Sequence, residues 1–320
     1  MKYLITGGAG FIGSNIAHRL VKNGESVRIL DNFSTGKHEN LTGIEKRIEI
    51  IEGDIRDYDL VKQAVKGVDY VLHLAALASV PLSNKDPITS NAVNVTGTLN
   101  VFEASRLALV KKLVFSSSSA IYGDASELPI NEWSPAHPVS PYAVGKLIGE
   151  YYARVYWEMY QLPTVSLRYF NVYGPNQNPE GDYAAVIPKF IISLLHNRPP
   201  VVFGDGLQSR DFIYIEDAVT ANILAATNEE MVGTEYNVAS GNQFTLNQLL
   251  EELCKITGVD LNTNYAAGRS GDIRHSYADI SKLKTCGFMP RAGFRQGLEK
   301  TVEFFKNHYS SPKLTAKVNL

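Results

Sequence analysis

The chain has 320 residues, 44% of them hydrophobic and 20% charged, which excludes a disordered chain and leaves room for one large domain plus a smaller one, or two of similar size. Lysine and arginine total 31 against 33 acidic residues, and a net charge of −2 excludes a global field for nucleic acid or an anionic membrane. Two cysteines, Cys254 and Cys286, are too few for a disulfide framework and fit a reducing compartment.

Taken in chain order, residues 3–6 read as a short apolar strand. Residues 11–24 read as a helix, with Ile12, Ile16, Leu20 and Val21 near helical spacing and Gly24 at its end. Strands follow at 26–30, 48–53, 68–75 and 112–117, with helical stretches between the later ones. This alternation predicts an α/β fold, a doubly wound parallel sheet of the Rossmann type buried on both faces. Beyond 169 the composition shifts to Gly, Pro, Asn and aromatics, with a helix near 184–196 and a final helix near 293–308. The expected division is a dinucleotide-binding domain over 1–170 and a smaller α/β substrate-binding domain over 171–320. Residues 210–226 look regular enough to pack back on the first sheet, and the tail 310–320 reads as a frayed end. The first apolar run, about four residues, is too short for a signal-peptide core, and no stretch reaches the roughly 18 apolar residues of a membrane span. The expectation is a soluble, cytoplasmic protein.

Between the first strand and the first helix lies Gly7-Gly8-Ala9-Gly10-Phe11-Ile12-Gly13, spaced GxxGxxG. Glycines permit a tight turn and let backbone N–H groups approach a pyrophosphate, and the helix N-terminus adds partial positive charge. Asp31 closes the second strand, where a carboxylate can bond both ribose hydroxyls of NAD and repel the extra phosphate of NADP. Asn32, Phe33 and Ser34 follow it without a cation, so NAD is favoured. Asp54 and Ile55, after the third strand, either border the adenine or place Asp54 as a helix cap. Ala75, on the edge after the fourth strand, completes the cofactor set.

Residues 140–146, SPYAVGK, open an amphipathic helix that puts Tyr142 and Lys146 on one face, four residues apart. A tyrosine beside a cation can shuttle a proton, because the ammonium and a cationic nicotinamide both favour the phenolate. The plain alternative is an accidental surface pair. The serine run 116–119, at the carboxyl edge after the fifth strand, favours the catalytic reading. The histidines show no metal-ligand spacing and no metal is expected. His73 and His275 read as structural or substrate-lining, and Asn91 and Asn94 as bridges between backbone groups.

Together GxxGxxG, Asp31, SSSSAIYG (116–123) and YAVGK resemble the extended short-chain dehydrogenase/reductase family, over nearly the whole chain. RYFNVYGP (168–175), FGDGLQSRDFIYIEDA (203–218) and RSGDIRHSYADIS (269–281) resemble its nucleotide-sugar enzymes. The resemblance implies that Ser118, four places before Tyr122, is the hydroxyl partner of Tyr142, with Ser117 and Ser119 as close alternatives. Related 4,6-dehydratases carry an Asp-Glu pair after that hydroxyl and UDP-glucuronate decarboxylases usually a Glu at the second position; here Ser119 and Ala120 stand there. The remaining set suits a 4-epimerase that oxidises and re-reduces C4 with bound NAD. The same resemblance assigns a UDP-sugar to Asn171, Arg210 and Arg269 at the sugar and diphosphate, Asp272 at the ribose and Phe203 at the uracil. Each has a plain alternative, a solvated arginine or a core phenylalanine. Ser276, where enzymes restricted to UDP-glucose and UDP-galactose often carry Tyr, and Ala185 beside Val186, where they often have Asn, leave room for a 2-acetamido group. Ser276 could otherwise be a surface serine. Ala78 and Ser79 resemble the branch acting on N-acetylated UDP-hexoses, although that branch often has Gly at the Ala78 position. The resemblance therefore points to UDP-N-acetylglucosamine as substrate, with strict UDP-glucose or UDP-uronic acid 4-epimerases, or a non-catalytic dinucleotide sensor, as rivals. It also implies a homodimer through a four-helix bundle. The bundle would be built from the Tyr142 helix and a helix at 86–109 whose apolar face carries Val95, Leu99, Phe102 and Leu109.

Overall fold

Six apolar segments of the N-terminal half form parallel strands: β1 (Lys2–Thr6), β2 (Ser26–Asp31), β3 (Ile48–Glu52), β4 (Tyr70–His73), β5 (Lys112–Ser118) and β6 (Thr164–Tyr169). A seventh, β7 (Thr234–Val238), comes from beyond the expected boundary at 170 and covers the open edge of β6, giving the order β7-β6-β5-β4-β1-β2-β3. The order reverses between β1 and β4, which opens the crevice where ligands bind in such sheets. The computed structural model describes residues 1–180, 184–259, 261–268 and 273–309. Arg269 and Asp272, and the tail from 310, lie outside the described residues.

Successive residues of each strand bury on opposite faces, as a strand's period of two requires. Leu4, Leu30, Val71, Leu113 and Phe115 face one layer, built from helices α2 (Tyr58–Val65), α3 (Thr98–Leu107) and α4 (Pro141–Tyr160). Ile5, Ile29, Leu72, Val114 and Leu167 face the other. There α1 (Phe11–Lys22) lies beside α6 (Ile215–Thr227), which packs on the sheet. That second core runs on without interruption into α5 (Val186–Leu195), α7 (Leu246–Thr257) and α8 (Phe294–Tyr309) through Phe190, Leu249 and Phe305.

The expected single helix over 86–109 is broken. Short helices Val80–Lys85 and Pro87–Asn91 lead into a π-helical turn, Ala92–Gly97, before α3. The widened turn turns Asn94 inward, where its side chain accepts from the Leu77 N–H at 2.8 Å and donates to the Leu77 carbonyl. Gly97 lies against Ile55 so closely that a Cβ would sit 2.7 Å from it. Of the apolar face over this stretch, part of which must cover the chain's own sheet, Phe102 is fully buried against that sheet, while Leu109 is 87% exposed.

Candidate active site

The glycine loop joins β1 to α1. Gly7 has φ +69°, and a Cβ there would meet the Ala75 backbone at 2.8 Å, which sets Ala75 against the loop. A Cβ on Gly13 would reach the Gly7 carbonyl at 2.3 Å, so the first turn of α1 can lie on the loop only without a side chain. Gly10 precedes α1 with no side-chain cap, and no acidic residue occupies the first turn. The N–H groups of Phe11, Ile12 and Gly13 are thus left without a capping side chain at the positive end of the helix, a donor set that fits the pyrophosphate of NAD. Asp31, buried at the end of β2, accepts from the Ala9 and Phe33 N–H groups, both at 2.9 Å, which ties the loop to the carboxylate. An acidic acceptor with no cation directly behind it suits an unphosphorylated ribose.

Asp54 does not cap a helix; Asp57 caps α2 by accepting from the Leu60 N–H. Asp54 instead binds Arg56 through both oxygens and accepts from Asn32 at 2.9 Å. Hydrogen bonds from Arg56 hold its carboxyl down at about 2. Ile55 is buried, its carbonyl accepting from Asn100.

Strand β5 delivers the serine run to α4. Burial raises the Tyr142 phenol, and the neighbouring Ser118 hydroxyl pulls it back. Lys146 is buried and its Nζ donates to the Ser116 carbonyl at 2.6 Å, 5.8 Å from the centre of the Tyr142 ring. Burial lowers the Lys146 ammonium to about 8, against the opposing pull of Glu150. The start of α4 is fixed by Ser140, which accepts from the Ala143 N–H, and by Ser83, which accepts from the Tyr142 N–H at 3.1 Å.

Ser117 corrects the expectation placed on it. It is buried on the opposite face of β5 from Ser116 and its hydroxyl donates to Glu150. Its register partner Arg168 grips both oxygens of Glu150 at 2.9 and 2.7 Å. Periodicity missed Glu150 and Arg168 as members of this assembly, although a Glu among the apolar residues of α4 is itself a signal. His73 is structural: its two ring nitrogens meet Thr6 Oγ1 at 2.7 Å and Thr98 Oγ1 at 3.0 Å.

Of the residues expected on the sugar side, Asn171 lies just past the end of β6, two places beyond Tyr169, the register partner of Ser118. Its backbone N–H and Nδ2 both donate to the Asp211 carbonyl. The buried Asp211 carboxyl accepts from Ser240, Gly241 and Ala278, and so joins three loops; burial lifts it to about 6. Arg210, half-buried, donates to the Ser209 carbonyl, which also accepts from the Ser276 N–H at 3.0 Å. Ser276 is 7% exposed and is not a surface serine. His275 pairs with Ser209 Oγ. Ala185 precedes α5, whose first turn, starting at Val186, also lacks a side-chain cap. Phe203 ends the strand Val201–Phe203, half-buried. Ala78 is exposed, and Ser79 caps the helix Val80–Lys85 by accepting from the Leu82 N–H.

The sheet, its glycine loop and Asp31 define an α/β protein of the dinucleotide-binding class. It belongs to the NAD dependent epimerase/dehydratase family, whose sequence model matches residues 3–239. A putative UDP-glucose 4-epimerase of Methanocaldococcus jannaschii is 38% identical, over 95% of this chain and 98% of that protein. The structure of a UDP-N-acetylglucosamine 4-epimerase from Methanobrevibacter ruminantium, in complex with UDP-N-acetylmuramic acid, is 43% identical with a TM-score of 0.92, covering 96% of this chain and 98% of that one. A Thermus thermophilus UDP-glucose 4-epimerase in complex with NAD is 38% identical with a TM-score of 0.88, covering 96% of this chain and 100% of that one.

Proposed function

We propose that this chain is a cytoplasmic UDP-N-acetylglucosamine 4-epimerase, interconverting UDP-GlcNAc and UDP-GalNAc and also accepting UDP-glucose and UDP-galactose. The observation that carries the choice is Ser276: a small residue, 7% exposed, bonded through its N–H to the strand end that presents Arg210. A small side chain in that wall leaves space for the acetamido group. The neighbour from Methanobrevibacter, described as a UDP-N-acetylglucosamine 4-epimerase, supports the same choice.

When bound, NAD would supply a reversible hydride acceptor for C4 of the sugar. The chain's own residues handle the proton. Tyr142 as phenolate accepts the proton of the C4 hydroxyl, and later gives it back. Ser118, its neighbour, orients that phenol, and Lys146 favours the phenolate by its charge. Gly7, Gly10 and the N–H groups of Phe11, Ile12 and Gly13 would hold the pyrophosphate, Asp31 the ribose, and Asn32, Asp54, Ile55 and Ala75 the surroundings of the adenine and loop. On the sugar side Asn171, Ala185, Val186, Phe203, Arg210, Arg269 and Asp272 would hold the UDP moiety, with Ala78, Ser79 and Ser276 around the hexose. Residues 171–320 thus supply most of the sugar site, while β7 and α6 complete the cofactor domain.

The dimer is part of the same proposal. Val144, Tyr151, Val155 and Met159 are 42%, 58%, 43% and 71% exposed along one stripe of α4, an apolar face that a second copy would cover. The second reading, a strict UDP-glucose 4-epimerase, is favoured by the names of the Methanocaldococcus and Thermus relatives. Incubating the protein with UDP-GlcNAc, UDP-glucose and UDP-glucuronate and separating the epimers decides among them. Conversion of UDP-glucose alone would establish the strict reading, and conversion of UDP-glucuronate alone the uronic acid reading.

A further inference from the structure

Three consecutive serines of β5 each meet a different turn of α4. Ser118 neighbours the Tyr142 hydroxyl, the Ser116 carbonyl accepts from Lys146, and Ser117 donates to Glu150. The three helix residues are spaced by four, so they share one face. Between the last two contacts, Gly149 lies over Phe115 so tightly that a Cβ would come 2.2 Å from the ring. The helix can slide or tilt on the strand only by breaking this ladder.

Its far rung is the strongest. Glu150 and Arg168 have side chains 6% and 7% exposed, and the guanidinium meets the carboxylate with two parallel bonds. Arg168 also donates to Tyr122 and to the Glu132 carbonyl, and Tyr122 donates to Asn237 on β7. The clamp is thereby anchored across β5, β6 and β7. A buried ion pair brings little net stability over a well-packed apolar pair, so its presence one turn from the catalytic cation calls for another reason.

We propose that Glu150 is a positioning residue: gripped by Ser117 and Arg168, it sets the register of α4 on β5 and supplies the carboxylate that faces the Lys146 ammonium. The surroundings of Lys146 leave that task to Glu150. From β4 it meets His73, which is held neutral; from β5, the Phe115 ring and the Ser116 carbonyl; from its own helix, Tyr142 and Glu150. Beyond Glu150 stand Arg168, Glu235 at 3.9 Å from it, Glu132 and Lys282. Replacing Glu150 by a neutral residue removes the carboxylate, which disfavours the ammonium.

This role rests on the epimerase reading for its kinetic part and is independent of it for its titration. In NAD-loaded protein with isotope-labelled lysine, the Lys146 signal, assigned by its loss in Lys146→Met, gives that residue's titration without any sugar present. Glu150→Gln should move that titration down by about one pH unit or more. With UDP-sugar, kcat should fall about 10-fold with KM unchanged, and the alkaline limb of the pH profile should move down with the titration. Glu150→Asp restores the titration. Ser117→Ala keeps the carboxylate, leaves the titration in place and lowers kcat several-fold, which keeps the test open if Glu150→Gln does not fold. The inference is overturned by an unmoved Lys146 titration in folded Glu150→Gln. It is equally overturned by kcat losses in both variants that merely follow loss of folded, NAD-loaded protein. A wild type inactive on every UDP-sugar would remove the proposed function and leave the titration standing.

Discussion

Ser276→Tyr is the substitution that separates the substrate readings. Ser276 is 7% exposed, and its N–H is fixed to the Ser209 carbonyl beside Arg210, so the backbone cannot swing a larger side chain outward without losing that bond. An added phenol ring must therefore occupy pocket volume. Overpacking of a filled site costs about 1–3 kcal/mol, and at about 1.4 kcal/mol per factor of ten this is roughly a 5- to 150-fold loss in kcat/KM. The loss should fall on the acetylated sugar. During the reaction the hexose presents both faces to the cofactor, and its C2 substituent must fit in both poses; a hydroxyl at C2 needs little room, an acetamido group much more. The assay is kcat/KM for UDP-GlcNAc and UDP-glucose in wild type and variant, with NAD content and thermal midpoint as controls for folding. Equal losses on both sugars in a folded variant would refute the assignment of Ser276 to the sugar pocket.

Tyr142→Phe removes the proton carrier while preserving the ring, and should lower turnover on the order of 10²-fold or more with NAD retained; a folded variant at wild-type rate sinks the mechanism. Val155→Asp places a charge in the middle of the exposed stripe of α4 and should shift the mass found by light scattering at micromolar concentration from two chains toward one. A wild type that is already a monomer removes the dimer. His73 is buried between two threonines, and burial, with help from the Lys146 charge, lowers its pKa from 6.5 to about 3. The folded state therefore resists a proton that the unfolded chain accepts, and stability is lost as pH falls from 6.5 toward 3, by about 2 kcal/mol at pH 5. Urea unfolding of wild type and His73→Gln at both ends of this window should show that part of the slope only in wild type; parallel slopes would contradict it.

The parts of this site that could be read from sequence are those set by local backbone demands. Gly7 is required by its φ of +69° and Gly13 by its contacts with Gly7 and Gly8, and Asp31 by its place at a strand end, so their spacing alone exposes them. Ser118 was reachable but left open among three serines. Strand alternation separates Ser117 from its two neighbours, and in the folded protein Ser117 faces Arg168. The other parts depend on distant pairings. β7 joins the sheet beside β6 only because its apolar residues complete an edge formed 65 or more positions earlier. Arg168 finds Glu150 across a strand–helix interface that no periodicity encodes. The π-helical turn at Ala92–Gly97 answers to Ile55 and Leu77, neither of them close in sequence, so the pattern over 86–109 read as one unbroken helix.

The carboxyl groups near Tyr142, and their absence at positions 119 and 120, suit reversible oxidation and not elimination. Past Ser118 the chain turns through a short helix, Ser119–Tyr122, whose first two residues, Ser119 and Ala120, carry no carboxyl. The Ala120 N–H donates to Ser118 Oγ, which holds that hydroxyl beside Tyr142. The nearby carboxyl that α4 does carry, Glu150, is buried two turns along the helix from Tyr142, with both oxygens bonded by Arg168 and one also by Ser117. It can influence Lys146 through its field, but it is held by these partners and not presented to a sugar. On the proposed mechanism, a proton taken by Tyr142 from the C4 hydroxyl is returned to the same oxygen. Water loss from the neighbouring carbons would need a second acid–base group at positions 119 and 120, so placing Asp and Glu there should be necessary for dehydration, while leaving epimerisation dependent on Ser118, Tyr142 and Lys146.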